Sequence, residues 1–476
     1  CNAPLESRNR FDHAAVRSKP VCCMQDDQAF HRRDIKGPNS ILLGMCTCTA
    51  DHNILGTVLS VHSELAERLM FRRHKMIQNI VIVSACRTAF DKFGGIMKDI
   101  PSIELGRHVL ERVVENVNFP KDKVEYIFYG TTIHAEIAPM VNVPVRQALL
   151  KAGFPATTLS MTVDRACCSS MTALECACRE IQAGEIEIAI AAGAENLSNV
   201  PHLIQGMRWG KKMGDWNILD VNAGFNYPGF GPVSVDTDNV AAEYDISREE
   251  MDAWSLRSHQ HYQKAFEKGV FKEEIVPYMV KGPKGVKIAV DVDQAPRPDT
   301  TIEKLAKLKP VYGTRAITAG NSPGLNAGAS AMLIMTEEKA KEYGLEILGY
   351  IRDFGCACSE SQNIPTVPAL ITQKLLDRNQ MKAEELDLLE INEAFAAMPL
   401  VSTKILAHGD EVLQNHLREI CNVNGGAIAI GHPMGASGLR LTMTLMYELR
   451  RRGGGKGIAC LCGGLAQGDG ILIEVK

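Results

Sequence analysis

Apolar residues recur with a helical spacing in the stretch that ends at Gly184. The positions are Met171, Leu174, Cys178 and Ile181. A spacing of three and four residues places them on one face of a helix. Gly184 is a stop signal, and the apolar run 186–192 predicts a buried strand. The pattern therefore predicts an amphipathic helix followed by a core strand.

Strand-like and helix-like patterns alternate on both sides of this stretch. In the first half they predict strands at 77–84, 124–131 and 159–163 and helices at 101–116 and 145–152. In the second half they predict strands at 347–353, 386–391, 458–462 and 470–474 and helices at 368–376 and 431–452. Such alternation indicates an α/β layer fold with a mostly parallel sheet.

The middle of the chain has a looser pattern. From residue 198 to 323 we predict loops, interrupted by a polar helix over 247–268. Ser247 and Glu250 form a capping box at the start of that helix. Residues 327–335 then return to a strand or buried-helix pattern.

The two halves have the same internal order. Each contains a reactive-looking loop, a helix, a glycine stop and a strand, and Cys167 and His432 occupy roughly matching positions. Two such halves facing each other would bring their helix N-termini together.

Composition adds limits to this interpretation. The chain has 476 residues, of which 45% are hydrophobic and 23% charged, and its net charge is −4. These values indicate a soluble protein of two or three domains. There is no basic stripe for nucleic acid and no apolar run long enough to cross a membrane. The 15 cysteines match neither a disulfide framework nor a zinc site. We therefore expect no metal, and a reducing, cytoplasmic setting.

Residues 1–75 show no sustained periodicity, and the pattern changes abruptly at Met76. We predict that 1–75 is a disordered, non-native extension, namely untranslated DNA read through in frame. A transit peptide is the alternative, but acidic residues argue against it. They are Glu6, Asp12, Asp26, Asp27 and Asp34.

Two adjacent cysteines, Cys167 and Cys168, stand at the start of the helix described first. A helix N-terminus favours the thiolate over the thiol, which is what a nucleophilic cysteine needs. The alternative is that both are small hydrophobic residues in a core. From this stretch alone, a nucleophilic cysteine and a pair of core residues are equally supported interpretations.

Five separated motifs make the chemistry more specific. They are VDRACCSS around Cys167, AGAENLSNVPH from Ala192, TAGNSPG from Thr318, NEAFA from Asn392 and NVNGGAIAIGHPMGASGLR from Asn422. Together with the terminal LCGG and GDG, they make the chain from Met76 to Lys476 resemble the thiolase family. Each motif alone is weak, but their number and order are not.

The resemblance implies a thiolase fold, with two similar halves in a layered α/β/α/β/α arrangement. It places the first half at 76–197 plus 324–346, an inserted loop domain that binds coenzyme A at 198–323, and the second half at 347–476. It implies an acyltransferase that cleaves 3-oxoacyl-CoA with coenzyme A, as in fatty acid β-oxidation, or performs the reverse Claisen condensation. Acyl-CoA and coenzyme A are then substrates, no cofactor is tightly bound, and the chain forms a homodimer or homotetramer.

The resemblance also implies roles for single residues. Cys167 is the nucleophile, His432 takes its proton, and Cys462 is the second acid/base. Asn392 holds a water that, with His432, polarises the thioester oxygen. Backbone N–H groups of Cys167 and Gly464 form a second oxyanion hole. Cys460 shares the strand face of Cys462, but only Cys462 matches the motif.

Departures from the family pattern fall in the substrate pocket. Leu465 and Ala466 replace glycines, and Pro323 stands where a serine often contacts coenzyme A. His202, Ser322 and Pro323 are the candidate coenzyme A residues, although His202 could equally be a solvated loop histidine.

Two other functions compete with this one. A 3-oxoacyl-carrier-protein synthase shares the fold but uses Cys–His–His, whereas the third group here is Cys462. A non-catalytic thiolase-like partner would not need Cys167, His432 and Cys462 together.

Overall fold

The computed structural model describes residues 79–223 and 227–476, so the prediction for 1–75 lies outside the described residues. The helices are α1 (Ser102–Glu115), α2 (Pro144–Lys151), α3 (Ser169–Ala183), α4 (Val233–Glu243), α5 (Arg248–Glu267), α6 (Ile302–Ala306), α7 (Glu337–Glu342), α8 (Val367–Arg378), α9 (Ala397–Leu406), α10 (Glu411–Ile420), α11 (Ala427–Ile430) and α12 (Met434–Arg451). The strands are β1 (Ile80–Arg87), β2 (Asp91–Lys92), β3 (Tyr126–Gly130), β4 (Leu159–Val163), β5 (Ile188–Asn196), β6 (His202–Leu203), β7 (Leu219–Asp220), β8 (Tyr278–Lys281), β9 (Lys287–Val290), β10 (Asn326–Thr336), β11 (Gly349–Cys358), β12 (Leu388–Ile391), β13 (Gly455–Gly463) and β14 (Gln467–Val475). None of these helices is long and apolar enough to cross a membrane.

The main sheet has the strand order β12-β13-β14-β11-β1-β10-β5-β3-β4. The strands of the first half lie at one end and those of the second half at the other. The two sets meet where β1 pairs with β11 over only three residue pairs, from Ile80 to Ile82. Two small hairpins, β6-β7 and β8-β9, lie between β5 and β10 in the chain, within the first half.

The prediction of a mostly parallel sheet is wrong. Only β3-β4, β3-β5 and β12-β13 are parallel pairs among the described strands, and the other pairs are antiparallel. In each half, strands that are connected through helices do form parallel pairs, as expected for right-handed crossovers. The strands β10 and β14 return against their neighbours because they arrive by a long excursion and by a hairpin, respectively.

Alternating side chains of the strands enter different cores, which confirms the layered arrangement. In β1, Val81 and Val83 face the cluster that contains the buried face of α1, whereas Ile80 and Ile82 face the cluster built on α3 and α12. In β13, Leu461 faces that same middle cluster. The opposite face of β13 packs into a third cluster, together with α8 and α9. The layers are therefore α1 and α2, first sheet half, α3 and α12, second sheet half, then α8 and α9.

The helices α3 and α12 cross closely in the middle layer. A β-carbon at Gly438 of α12 would lie 2.6 Å from the backbone nitrogen of Met171 in α3, closer than any real carbon approaches. Glycine at this position therefore allows the two backbones to touch. The crossing fixes the two helix N-termini relative to each other.

Several local predictions are confirmed. The ion pair of Glu175 and Arg179 forms at 2.6 Å, and Gly184 ends α3 with a left-handed φ of 74°. Ser247 and Glu250 make both bonds of the capping box. Residues 326–336 form a strand, not a helix.

Other elements were missed. The helices α4, α9 and α10 lie in stretches for which the sequence pattern predicts no helix. The strand β5 extends beyond its predicted end at residue 192 to Asn196.

Candidate active site

One cavity of about 790 Å³ brings the candidate reactive residues together. Cys167, His432, Cys462 and Gly464 all line it. They come from the start of α3, the start of α12 and the β13-β14 hairpin. The fold thus joins chain segments that lie almost 300 residues apart in one pocket.

A tight turn presents Cys167 to the cavity. Ala166, just before it, has a left-handed φ of 49°, and its N–H donates to Asp164 Oδ1 at 3.1 Å. The Ser169 hydroxyl closes the turn, because it accepts from the Arg165 N–H at 2.9 Å and donates to the Ala166 carbonyl at 2.6 Å. Such a strained, over-determined turn is typical of a functional residue.

The two adjacent cysteines have different surroundings. Cys167 is partly buried and lines the cavity. Cys168 is fully buried in the middle core, where its Sγ lies 3.8 Å from the Leu461 carbonyl oxygen. Cys168 therefore fits the description of a small core residue, and Cys167 does not.

The resting state of Cys167 differs from the expectation. The pKa of its thiol is raised to about 12, mainly by burial, and the nearby Glu195 carboxylate contributes in the same direction. Desolvation of the charged form therefore opposes the expected effect of the helix start and favours the protonated thiol in the free protein. A neighbouring base is needed to remove the proton.

His432 is held in one tautomer. Its Nδ1 lies 2.6 Å from Ser437 Oγ, and that hydroxyl donates to the Pro433 carbonyl at 2.9 Å. Since a hydroxyl has one proton, Nδ1 must be the donor to Ser437. The Nε2 atom is then unprotonated, and its lone pair accepts from the amide Nδ2 of Asn392 at 3.4 Å.

His432 is also held neutral. The pKa of its imidazole is lowered to about 3, mainly by burial, and the buried Arg440 guanidinium contributes in the same direction. Its backbone N–H donates to Asn326 Oδ1 at 2.8 Å, which fixes the loop ahead of α12. A neutral imidazole with an unprotonated Nε2 is the form that can accept a proton.

Asn392 follows β12 and is fully buried. Its backbone N–H donates to the Cys460 carbonyl at 3.1 Å. Its side-chain Oδ1 is buried, and none of residues 79–223 and 227–476 donates a hydrogen bond to it. A buried acceptor of this kind needs a partner.

The two cysteines of β13 share one face, as the alternation predicts, but only one reaches the cavity. Cys462 lines the cavity, and its Sγ lies 3.8 Å from Met398 Sδ. Burial raises the pKa of the Cys462 thiol, and the neighbouring Cys167 raises it further. Cys460 packs 3.5 Å from Thr372 Oγ1 in the outer core.

The three coenzyme A candidates are placed differently. Ser322 and Pro323 line the cavity, and the Ser322 hydroxyl donates to the Thr318 carbonyl at 2.8 Å. His202 is exposed on β6, where it pairs with Asp220, and it does not line the cavity. The structure therefore brings two of the three to the site.

Two residues of the site had no role in the sequence analysis. Glu195 is fully buried and accepts from the Thr132 hydroxyl at 2.7 Å and from the Gly435 N–H at 3.1 Å. It ties the end of β5 to the first turn of α12, and burial raises the pKa of its carboxyl to about 7. Its place in the AGAEN motif was a usable signal. Tyr227, unlike Glu195, lines the cavity, and its irregular loop gave no signal.

Comparison with known proteins agrees with this geometry. Residues 80–338 match the family model of the thiolase N-terminal domain, and residues 345–475 match that of the thiolase C-terminal domain. An acetyl-CoA acetyltransferase of Chromobacterium violaceum is 40% identical over 402 residues, covering 83% of this chain and 99% of that protein. One of Cupriavidus necator is 37% identical, covering 84% and 100%.

Solved structures give the same result. The human mitochondrial 3-ketoacyl-CoA thiolase has a TM-score of 0.77 at 30% identity, covering 84% of this chain and all of that one. The Bacillus anthracis acetyl-CoA acetyltransferase has a TM-score of 0.78 at 37% identity, covering 83% and 98%. The class is thereby defined as an acyltransferase. The chain belongs to the thiolase family.

Proposed function

We propose that the chain cleaves 3-oxoacyl-CoA with coenzyme A to give acetyl-CoA and a shortened acyl-CoA, or runs the reverse Claisen condensation, through an acyl-enzyme on Cys167. The observation that carries the proposal is that Cys167, Cys462 and His432 line the same cavity. His432 is neutral there, and its Nε2 is unprotonated. Two thiols and one base are the groups that this reaction needs.

In the first step, His432 Nε2 takes the proton of the Cys167 thiol. The sulfur then attacks the 3-oxo carbon of the substrate, and the carbonyl electron pair moves onto oxygen. When the carbonyl re-forms, the C2–C3 bond breaks and its electron pair goes to C2. The Cys462 thiol protonates C2, which releases acetyl-CoA and leaves a thiolate on Cys462.

In the second step, the Cys462 thiolate takes the proton of coenzyme A. The coenzyme A sulfur attacks the acyl carbon on Cys167, and the Cys167 sulfur leaves with the bonding pair. It recovers its proton from the His432 imidazolium. The raised thiol pKa values of Cys167 and Cys462 support this order, because both groups start and end protonated.

Two oxygen sites assist these steps. The unpartnered Oδ1 of Asn392 suits a water that, with His432, faces the thioester oxygen of the departing acetyl-CoA. The backbone N–H groups of Cys167 and Gly464 suit the oxygen of the acyl group on Cys167. Losing one such donor typically slows turnover by about 100- to 1,000-fold.

The cavity also suits coenzyme A. Lys92, Arg297 and Lys304 line it and supply positive charge for phosphates, and Ser322 and Pro323 line the same cavity. Ser322 and Pro323 are therefore proposed to contact the substrate. The position of His202 on β6 gives its proposed role no support.

Acetoacetyl-CoA and coenzyme A provide the direct test. We expect the chain to produce acetyl-CoA from them, and we expect mass spectrometry of the quenched enzyme to show an acetyl group on Cys167. Acetoacetyl-acyl carrier protein is the matched control, because a carrier-protein synthase would prefer it. No adduct and no acetyl-CoA would contradict the proposal.

The remaining implications of the sequence stay predictions. They are a role in β-oxidation, a cytoplasmic location, assembly as a homodimer or homotetramer, and the domain boundaries at 197, 323 and 346.

A further inference from the structure

The phenol of Tyr227 reaches the hairpin that carries Gly464. A β-carbon placed on Gly464 would overlap Tyr227 Oη and would lie 2.7 Å from Cζ and 3.1 Å from Cε2. The hydroxyl is therefore the part of the ring nearest to this backbone. With the ring in this position, glycine at 464 leaves room for the hydroxyl.

The hydroxyl of Tyr227 is free to bind a ligand. Tyr227 is half-buried and lines the cavity with Cys167 and Cys462. In the described part of the chain, no group makes a hydrogen bond to Oη, although Tyr hydroxyls in buried settings usually have a partner.

The hydroxyl is also a neutral donor. Burial raises the pKa of the Tyr227 phenol, and the nearby Cys167 and Asp164 raise it further. A phenol that keeps its proton can donate to an oxygen that gains negative charge. Cys167 lines the same cavity and Oη lies beside Gly464, so the oxygen in question is that of an acyl group on Cys167.

We propose that Tyr227 is a further catalytic residue, whose hydroxyl donates a hydrogen bond to the oxygen of the acyl group on Cys167, beside the N–H of Gly464. The proposal rests on the proposed function. When the coenzyme A sulfur attacks the acyl carbon, the carbonyl pair moves onto this oxygen and gives an alkoxide. The alkoxide then collapses, re-forms the carbonyl and expels the Cys167 sulfur. Tyr227 keeps its proton throughout and stabilises the alkoxide.

A role as mere filler makes a different prediction. If only the volume of the ring mattered, phenylalanine would serve equally well. The polar atom of the ring, Oη, instead lies beside Gly464, in the cavity that Cys167 also lines. Removing the hydroxyl alone therefore separates the two roles.

The test compares the wild type with Tyr227→Phe. Acetylated enzyme is prepared with acetyl-CoA, and its deacylation by coenzyme A is followed by rapid quench and mass spectrometry. We expect the deacylation rate constant of Tyr227→Phe to fall by about 100-fold, while the coenzyme A concentration for half-maximal rate stays the same. Exchange of acetyl-CoA methyl protons with deuterated solvent on the acetylated enzyme should not change, since it uses the oxygen site of His432 and Asn392.

Tyr278→Phe is the matched control. Tyr278 belongs to the same inserted region, but its ring packs against His108 at 5.1 Å and does not line the cavity. We expect its deacylation to equal that of the wild type. Unchanged deacylation in Tyr227→Phe would overturn the proposal, and so would an equal loss of deacylation and exchange. If the wild type itself forms no adduct on Cys167, the proposed function has failed, which is a distinct result.

Discussion

Ser437 Oγ lies 2.6 Å from His432 Nδ1, and its own proton is committed to the Pro433 carbonyl. A hydroxyl in the first turn of α12 thus decides which nitrogen of the candidate base is free. The same turn is fixed to the other half of the molecule through the Gly435 N–H and Glu195.

We predict that Ser437→Ala lowers kcat for thiolysis of acetoacetyl-CoA by about 10- to 100-fold with little change in KM. The imidazole loses the acceptor that fixes its tautomer, and a base in the wrong tautomer cannot take the thiol proton. Ser330→Ala is the control, because the Ser330 hydroxyl donates to the Ala436 carbonyl of the same helix without touching His432. Equal activity of both variants would contradict the role of Ser437.

We predict that Cys167→Ala abolishes the acyl adduct, whereas Cys168→Ala retains most of the activity. Cys167 lines the cavity, and Cys168 is buried in the middle core. Peptide mapping after one equivalent of substrate locates the adduct. The Cys168 variant should lose some stability, since it leaves a small void. An adduct on Cys168 would refute the assignment.

Cys462→Ser should separate acylation from proton transfer at carbon. Serine is far less acidic than cysteine and cannot take the methyl proton of acetyl-CoA. We expect exchange of these protons with deuterated solvent to slow by at least about 100-fold, while acetylation of Cys167 remains detectable. Cys460→Ser is the matched control on the same face of β13. Wild-type exchange in Cys462→Ser would identify another group as the base.

The alkylation of Cys167 should have an unusual pH dependence. Its pKa is raised to about 12, so the reactive thiolate fraction at lower pH should grow about tenfold per pH unit. We therefore expect the rate with iodoacetamide to rise steadily between about pH 7 and 10, without the plateau that an ordinary thiol shows above about 8.5. The exposed Cys358 serves as the internal reference. A plateau of the Cys167 rate below pH 8 would mean that the helix start outweighs burial.

The local features of the site could be predicted from the sequence. The spacing of apolar residues predicts α3 directly after the two cysteines, and the structure agrees. The glycine-rich opening predicts α12 from residue 431, whereas the helix begins at Met434, two residues after His432. These features depend on residues close in sequence. The choice between Cys460 and Cys462 needed the family motif, because alternation alone points both to one face.

Other features could not be predicted from local patterns. The direction of β10 against β5 depends on a return over more than 100 residues, and no periodicity encodes it. The raised pKa of Cys167 depends on burial by distant segments. Tyr227 lies in an irregular loop, and its contact with Gly464 joins residues 237 positions apart in the sequence.

The backbone contact between Gly438 and Met171 has a consequence for how the molecule loses activity. Each half contributes one helix to the middle layer, so either half alone would expose an apolar sheet face to water. A fragment that holds only the half with the nucleophile, or only the half with its base, is therefore not expected to fold alone. Heat or denaturant should abolish catalytic activity and tertiary structure in a single cooperative transition. No partly unfolded species should retain a reactive Cys167 thiol.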